Sequence, residues 1–315
     1  MGLVIGMDEA GYGPNLGPLV ITTTVWQVPG HPRDTDFWRE FEDVVAQDGR
    51  SSPKRLHIAD SKQVYSPSRG LKSLERSVLA TLRLLGHSPD SLRELCSVLS
   101  STPSDDFLQE PWFAEQDVLL PHAVTADDFH EPAERWRKCC ADRGIELKAI
   151  RSDIVLTERF NDLTRRFDSK GIALSRLSLS LLRSVWNPDD GESTLVVADK
   201  HGGRNRYDQL LSEVLDDRLV MRLEEKRECS RYRIGESEVR FQMKAESHFP
   251  VAISSMVCKY VRELAMIAFN RFWNERVPNL KPTKGYPVDA RRFRDDIGEA
   301  LNALGIPDES IWRHR

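Results

Sequence analysis

Four acids in this sequence stand where apolar runs stop. Asp8 and Glu9 close residues 3–7 (LVIGM), and Asp199 closes residues 194–198 (TLVVA). Glu246 falls between a strand pattern ending at Lys244 and a long apolar helical pattern. A short apolar run that ends in an acid reads as a buried strand delivering a polar group at its end. Four such carboxylates would converge at one edge of a sheet. Gathered carboxylates cannot all ionise without a counter-charge. Divalent cations supply it: Mg²⁺ or Mn²⁺ takes oxygen ligands, and Mg²⁺ keeps several waters, so a few carboxylates suffice. Two such ions about 4 Å apart activate a water and stabilise the leaving oxygen when a phosphodiester is cut. Any one of these acids alone reads as a solvated loop residue. The set of four, beside a glycine-rich turn, favours a site. Neighbouring strand residues face opposite ways, so Asp8 and Glu9 share a site only if the strand ends or bends there. Gly11 and Gly13 permit the bend.

The elements that must position these acids follow from patterning. Residues 19–25 (LVITTTV) are β-branched and predict a strand, antiparallel to the first across the turn 11–18. Segment 66–85 opens with Ser-Pro-Ser and then shows helical spacing. Residues 88–135, rich in Ser, Pro and Asp with scattered aromatics, read as an inserted subregion of weak local structure. Beyond it come a strand over 145–155, helices over 157–167 and 173–186, the TLVVA strand, and a helix over 207–215. A strand pair follows over 219–225 and 232–244, with Gly235 near the turn. The strongest helical pattern, 250–273, is apolar nearly all round, as in a core helix. A last amphipathic helix covers 289–304. This order predicts an α/β fold: a mixed sheet flanked by helices, with an insertion and a C-terminal helical segment, as one domain over 1–315.

Composition narrows the classes further. The 315 residues are 40% apolar and 30% charged, which fits a globular chain rather than a disordered one. Lys and Arg number 45 against 49 Asp and Glu, a net charge of −4, so any nucleic-acid surface must be a local patch. No apolar run approaches the roughly 18 residues of a membrane span. The N-terminal stretch lacks the basic region of a secretory signal, and Gly6 stands where a myristoylation site wants Ser or Thr. Five cysteines without CxxC spacing read as reduced thiols of a cytoplasmic protein.

Several segments together resemble a family. GMDEAGYGPNLGPLV (6–20) resembles the opening motif of the type 2 ribonucleases H, the bacterial ribonucleases HII and HIII. ADSK (59–62) resembles their Asp-Ser-Lys motif, and LVVADKHGG (195–203) falls where they carry a third carboxylate. KAESHFPVAISSMVCKYVREL (244–264) resembles the segment of the fourth carboxylate and its helix. KGYP (284–287) and RHR (313–315) resemble their C-terminal motifs. The likeness covers 3–85, 145–205 and 240–315 in patches. It implies a ribonuclease-H-like fold and a two-metal nuclease that hydrolyses RNA paired with DNA, leaving 3′-hydroxyl and 5′-phosphate ends. Asp8, Glu9, Asp199 and Glu246 would hold Mg²⁺ or Mn²⁺. The Glu at position 246 resembles ribonuclease HIII, whereas KGYP resembles HII. Gly11, Tyr12 and Gly13 stand where HII carries Gly-Arg-Gly, a loop that contacts the ribose 2′-hydroxyl in that family. Residues 278–315 would form a substrate-contact segment, with Lys284 and Tyr286 facing the duplex.

Other residues support this reading. Lys62 is placed to touch a backbone phosphate. Lys244, two residues before Glu246, would sense negative charge at the site. His201 and His248 each lie two residues from a proposed ligand and are candidates for proton transfer. The basic stretch 222–233 is interleaved with Glu224, Glu225 and Glu228, so it reads as a solvated strand face. The acidic cluster 127–131 is a weak metal candidate. The expected partner is an RNA–DNA hybrid or a DNA duplex carrying ribonucleotides, bound by a monomer. Two other classes stay open: a non-catalytic nucleic-acid-binding descendant, and an actin- or sugar-kinase-like phosphotransferase whose phosphate loop would be VIGMDEAGYG.

Overall fold

The β-branched runs near the N-terminus pair as their patterning requires. In a computed structural model describing residues 1–48, 54–100 and 104–314, β1 (Gly2–Ala10) and β2 (Leu19–Val28) run antiparallel, Gly2 opposite Val28 and Ala10 opposite Val20. Arg315 of the RHR segment lies outside the described residues. Two very short strands, β3 (Val45–Ala46) and β4 (Leu56–His57), form a separate parallel pair. β5 (Glu146–Val155), β6 (Ser193–Asp199), β7 (Met221–Glu225), β8 (Cys229–Ile234) and β9 (Ser237–Gln242) complete the main sheet. Its order is β5-β2-β1-β6-β9-β8-β7. β6 is parallel to β1 and β9 is parallel to β6, while the other pairings are antiparallel. This is the mixed sheet that the alternation of strands and helices predicts.

Both faces are covered, which is why the central strands are apolar without alternation. Val4, Val20 and Trp26 face the long helix Phe249–Asn274. Ile5, Met7, Ile21 and Val196 face Leu174 and Leu177 of the helix Lys170–Val185. The long helix is buried around most of its circumference because the sheet lies on one side and further helices on the other. Phe269, for example, packs 5.5 Å from Phe293 of the helix Pro287–Ala303. Among the described residues no helix is long and apolar enough to cross a membrane.

Three details depart from the patterning. The helix expected from residue 66 runs instead from Lys72 to Leu84, after a turn in which Gly70 has φ +69°. The strand expected over 232–244 is a hairpin, because Gly235 turns the chain at φ +57°. The subregion 88–135 is not weakly structured. It forms helices Leu92–Leu99 and Pro111–Glu115 and the start of Asp127–Arg143. Its polar residues are caps: Ser91 accepts from the Glu94 N–H, and Pro111 opens its helix. Its aromatics enter the main core, with Trp112 edge-on to Phe269 at 5.1 Å. All five cysteines are free, four of them buried.

Candidate active site

The site sits where the sheet loses a strand. β1 pairs with β6 as far as Met7 opposite Ala198, and with β2 as far as Ala10. The strand therefore does not end or bend at Asp8. Asp8 and Glu9 instead extend past the last β6 pairing, beside Asp199 at the end of β6. Glu246 stands on the one-turn 3₁₀ segment Ala245–Ser247 that leads into the long helix. Preceding it, Lys244 has φ +57°, which reverses the chain after β9. Trp38 holds that turn by donating its Nε1–H to the Ser247 carbonyl at 2.8 Å.

The four carboxylates act on one another. Burial and the Glu9 charge push Asp8 well above the usual carboxylate range; Asp199 and Glu246 add to this, against a hydrogen bond from Ser255. Burial, Asp199 and Glu246 push Glu9 up to about 8, with Lys62 opposing. Burial and Glu246 raise Asp199 to about 6, against the backbone N–H groups of Ala245 and Lys200. Burial lowers the Lys62 ammonium, but the field of Asp60, Glu246, Asp8 and Asp199 outweighs it and raises it overall. Lys62, Lys244, Asp199 and Glu246 line one cavity of about 630 Å³, together with Asp60 and Trp38. Among the described residues, no three acids, histidines or cysteines are drawn tightly enough together to form a ready-made ion site. The donor set nevertheless fits Mg²⁺ or Mn²⁺: all carboxylate oxygen, more acids than cations, and no soft ligand.

The glycine turn is built around two buried arginines, Arg262, to which no sequence motif assigned a role of its own, and Arg313, the first residue of the RHR segment. Arg262 of the long helix donates to the carbonyls of Pro18 (3.0 Å), Leu16 (3.2 Å) and Lys284 (3.0 Å). Arg313 donates to the carbonyls of Gly11 (2.5 Å) and Pro14 (2.6 Å), and its own carbonyl accepts from Asn15. Gly11, at φ +95°, has no room for a side chain, since a Cβ would lie 2.5 Å from the Pro18 carbonyl oxygen. Gly13 is open to solvent. Tyr12 is half-buried, with the Lys170 ammonium 4.3 Å above its ring.

The remaining candidates separate. Tyr286 is 55% exposed at the start of the helix Pro287–Ala303. Lys284 is engaged elsewhere: its ammonium pairs with Glu263 at 2.5 Å and donates to the Tyr65 hydroxyl at 3.1 Å. It ties the KGYP segment to the long helix. His201 is 4% exposed, bonded to Ser175 and edge-on to Tyr207 and Phe241; burial lowers it to about 3, so it is a neutral core residue and not a proton donor. His248 is half-buried and lowered by burial and Arg240. In the acidic cluster, Asp128 turns back onto Thr125, and Phe129 is buried. The basic stretch is ion-paired as its interleaved acids suggest, Arg222 to Glu225 and Lys226 to Glu224. Asp60 in the cavity wall and Ser255 against Asp8 were not singled out. Asp60 was legible in the Asp-Ser-Lys motif, where it caps the short helix Ser61–Val64 through the Lys62 N–H. Ser255 carries no signal beyond its place in the long helix.

The Glu263 network yields a pH prediction. Burial pushes its carboxyl up, but Lys259 and Lys284 outweigh this and hold it at about 2. Its contribution is therefore full above the ordinary range near 4.5 and is lost as pH falls towards 2. Glu263→Gln should cost about 1–3 kcal/mol at pH 7 after allowance for solvent around Lys284. Denaturant titrations at pH 7 and pH 3 should show the gap between variant and parent closing. A gap independent of pH would mean packing rather than charge.

This edge of a mixed sheet, carrying four carboxylates and a glycine turn, defines a candidate acid-rich site. No family model matches the chain, and no curated protein sequence is significantly similar to it. Several solved structures align with the chain. The ribonuclease H2 of Pyrococcus horikoshii OT3 aligns at 15% identity, over 98% of this chain and 92% of that one, with a TM-score of 0.49. The Aquifex aeolicus RNase H3 aligns at 15% identity over 98% and 71%, with a TM-score of 0.40. Bst-RNase HIII, solved in complex with Mn²⁺, aligns at 14% identity over 99% and 66%, with a TM-score of 0.39.

Proposed function

We propose that this chain is a metal-dependent endoribonuclease that hydrolyses the RNA strand of RNA–DNA hybrids or cuts at ribonucleotides embedded in DNA. The observation that carries the reading is the gathering of Asp8, Glu9 and Asp199 where β1 outruns β6, with Glu246 on the turn beside them and their neighbours' charges raising the first three. Carboxylates gathered this closely are costly to maintain unless a cation offsets their charge. Asp8 and Asp199 would hold Mg²⁺ or Mn²⁺, with Glu9 and Glu246 completing the shell; bound ions supply water activation and stabilisation of the leaving oxygen. Lys62 stands at the cavity mouth as a phosphate contact. The Gly11–Gly13 turn, fixed from behind by Arg313 and Arg262, offers backbone groups that can read a 2′-hydroxyl.

The test is cleavage of two labelled duplexes, a continuous RNA–DNA hybrid and DNA with a single ribonucleotide, with Mg²⁺ or Mn²⁺ and with chelator. Cutting that needs metal and leaves 3′-hydroxyl ends is the expected result. A folded protein that cuts neither duplex in either metal would overturn the reading.

A further inference from the structure

A second surface adjoins the carboxylate cavity through hydrogen bonds between their walls. It is a groove of about 1030 Å³ beside the helices Lys72–Leu84 and Asp127–Arg143. Its walls carry Lys54, Arg55, Arg69, Lys72, Arg76 and Arg135. A chain with a net charge of −4 thus gathers six cations in one place. Their bonding also differs from that of the ion-paired surface arginines. Arg55 donates to the Glu42 carbonyl, Arg69 to those of Lys62 and Gln63, Arg76 to those of Arg55 and Asp128, and Arg135 to those of Lys54 and Asp43. Among the described residues none of the six forms an ion pair, whereas surface arginines such as Arg165, Arg222 and Arg294 do. Carbonyl partners fix a guanidinium's position without cancelling its charge.

Three acids share the groove, Asp127, Asp128 and Glu131. Asp128 is folded onto the Thr125 N–H and hydroxyl, at 2.8 and 3.0 Å. The acids are half as many as the cations, so the groove stays positive. It also shares a wall with the carboxylate cavity. Arg69 reaches across to the backbone of Lys62 and Gln63, and His57 bonds the Gln47 carbonyl; Lys62, Gln63 and Gln47 all line that cavity.

We propose that this groove holds the sugar–phosphate backbone of a nucleic-acid duplex beyond the point of cleavage, an inference that rests on the duplex reading of the carboxylate site. Phosphate contacts fix the position of a duplex without reading its sequence. Six cations from several elements, four of them fixed by backbone carbonyls and outnumbering the acids beside them two to one, suit a run of phosphates better than one small anion. One wall comes from the first turns of the helix Asp127–Arg143, so the 88–135 subregion lengthens the footprint on the duplex.

Binding is measured by fluorescence anisotropy with the Asp199→Asn protein, so that nothing is cut. The ligands are a short hybrid, a longer hybrid of the same sequence, and a plain DNA duplex. Lys72→Ala/Arg135→Ala replaces two exposed side chains, and thermal unfolding verifies its fold. On the longer hybrid its log affinity should depend on log salt with a slope smaller by about 1.8, two phosphates at about 0.9 each. The affinity lost between about 50 and 200 mM salt then falls by about tenfold relative to the parent. The short hybrid should show no difference. Equal slopes on the longer hybrid would overturn the groove while leaving the nuclease reading intact. The same loss of slope on plain DNA, with a parent protein (Asp199 intact) that cuts neither duplex in Mg²⁺ or Mn²⁺, would keep the groove and remove the nuclease.

Discussion

Asp199→Asn should lose metal-dependent cleavage by roughly 10³-fold or more while making the metal-free protein more stable. The two effects share one cause. Asp199 ends β6 beside Glu9 and Glu246, and burial together with Glu246 raises it. Its carboxylate accepts from the backbone N–H groups of Ala245 and Lys200. An asparagine oxygen can accept the same two bonds, so the turn into the long helix is kept. What disappears is one negative charge among four. Without metal, that relief should be worth about 1 kcal/mol, a modest figure because Asp199 is partly solvated. With metal, the balance reverses. The parent should gain about 2.7 kcal/mol when free metal reaches a hundredfold over its dissociation constant, and the variant should gain little. Thermal unfolding with Mg²⁺, with Mn²⁺ and with chelator, run beside the cleavage assay, checks both. A destabilised metal-free variant would mean that Asp199 is a structural hydrogen-bond acceptor first. Full cleavage would remove it from the site.

The acids were legible because a strand's end is a local property: an apolar run that stops at a charge marks its own boundary. Asp8, Glu9 and Asp199 could be placed at one sheet edge for that reason. How Asp8 and Glu9 share the edge was not legible. The sequence suggests a bend in β1, and the chain solves the problem by ending β6 early, a fact about the neighbouring strand. The same limit explains the histidine and lysine results. His201 looks placed for proton transfer by its spacing from Asp199, yet Ser175 and Phe241, from distant parts of the chain, enclose it together with Tyr207. Lys284 matches a substrate-contact motif, but its partner Glu263 sits on the long helix. The 88–135 subregion misled through composition. Its Ser, Pro and Asp residues cap short helices, and only the tertiary fold shows Trp112 and Phe113 entering the common core. Arg313 was visible as the start of the RHR segment, but not its inward role; like Arg262 it organises the glycine turn from behind by bonding backbone carbonyls, and no side-chain pattern announces that.

Gly6→Ala should be the most damaging single methyl that can be added to this protein's interior near the site. Gly6 lies in the middle of β1, opposite Thr24, where the strand crosses the start of the long helix. A Cβ there would fall inside the backbone of Pro250 and Val251. Helix backbone cannot turn aside as a side chain can. It is also bonded in place: Thr24 donates to the Pro250 carbonyl at 2.9 Å, and Ser254 donates to the Gly6 carbonyl at 3.0 Å. Overpacking a rigid contact costs about 1–3 kcal/mol and occasionally more, and this position belongs at the upper end. At roughly 2–4 °C per kcal/mol for large domains, the melting temperature should drop by about 6 °C or more. Cleavage should fall with it. Asp8 follows Gly6 by two residues on the same face of β1, and it is Ser255 of the displaced helix that bonds its carboxyl. Glu246 rides on the turn entering that helix, so separating helix from strand moves two carboxylates apart. Gly298→Ala is the control, because a Cβ there meets nothing within 4 Å and the residue lies inside the helix Pro287–Ala303. It should be neutral or stabilising by about 0.4–1 kcal/mol. If Gly6→Ala unfolds like the parent, the close approach of β1 to the long helix is not what sets the distance between Asp8 and Glu246.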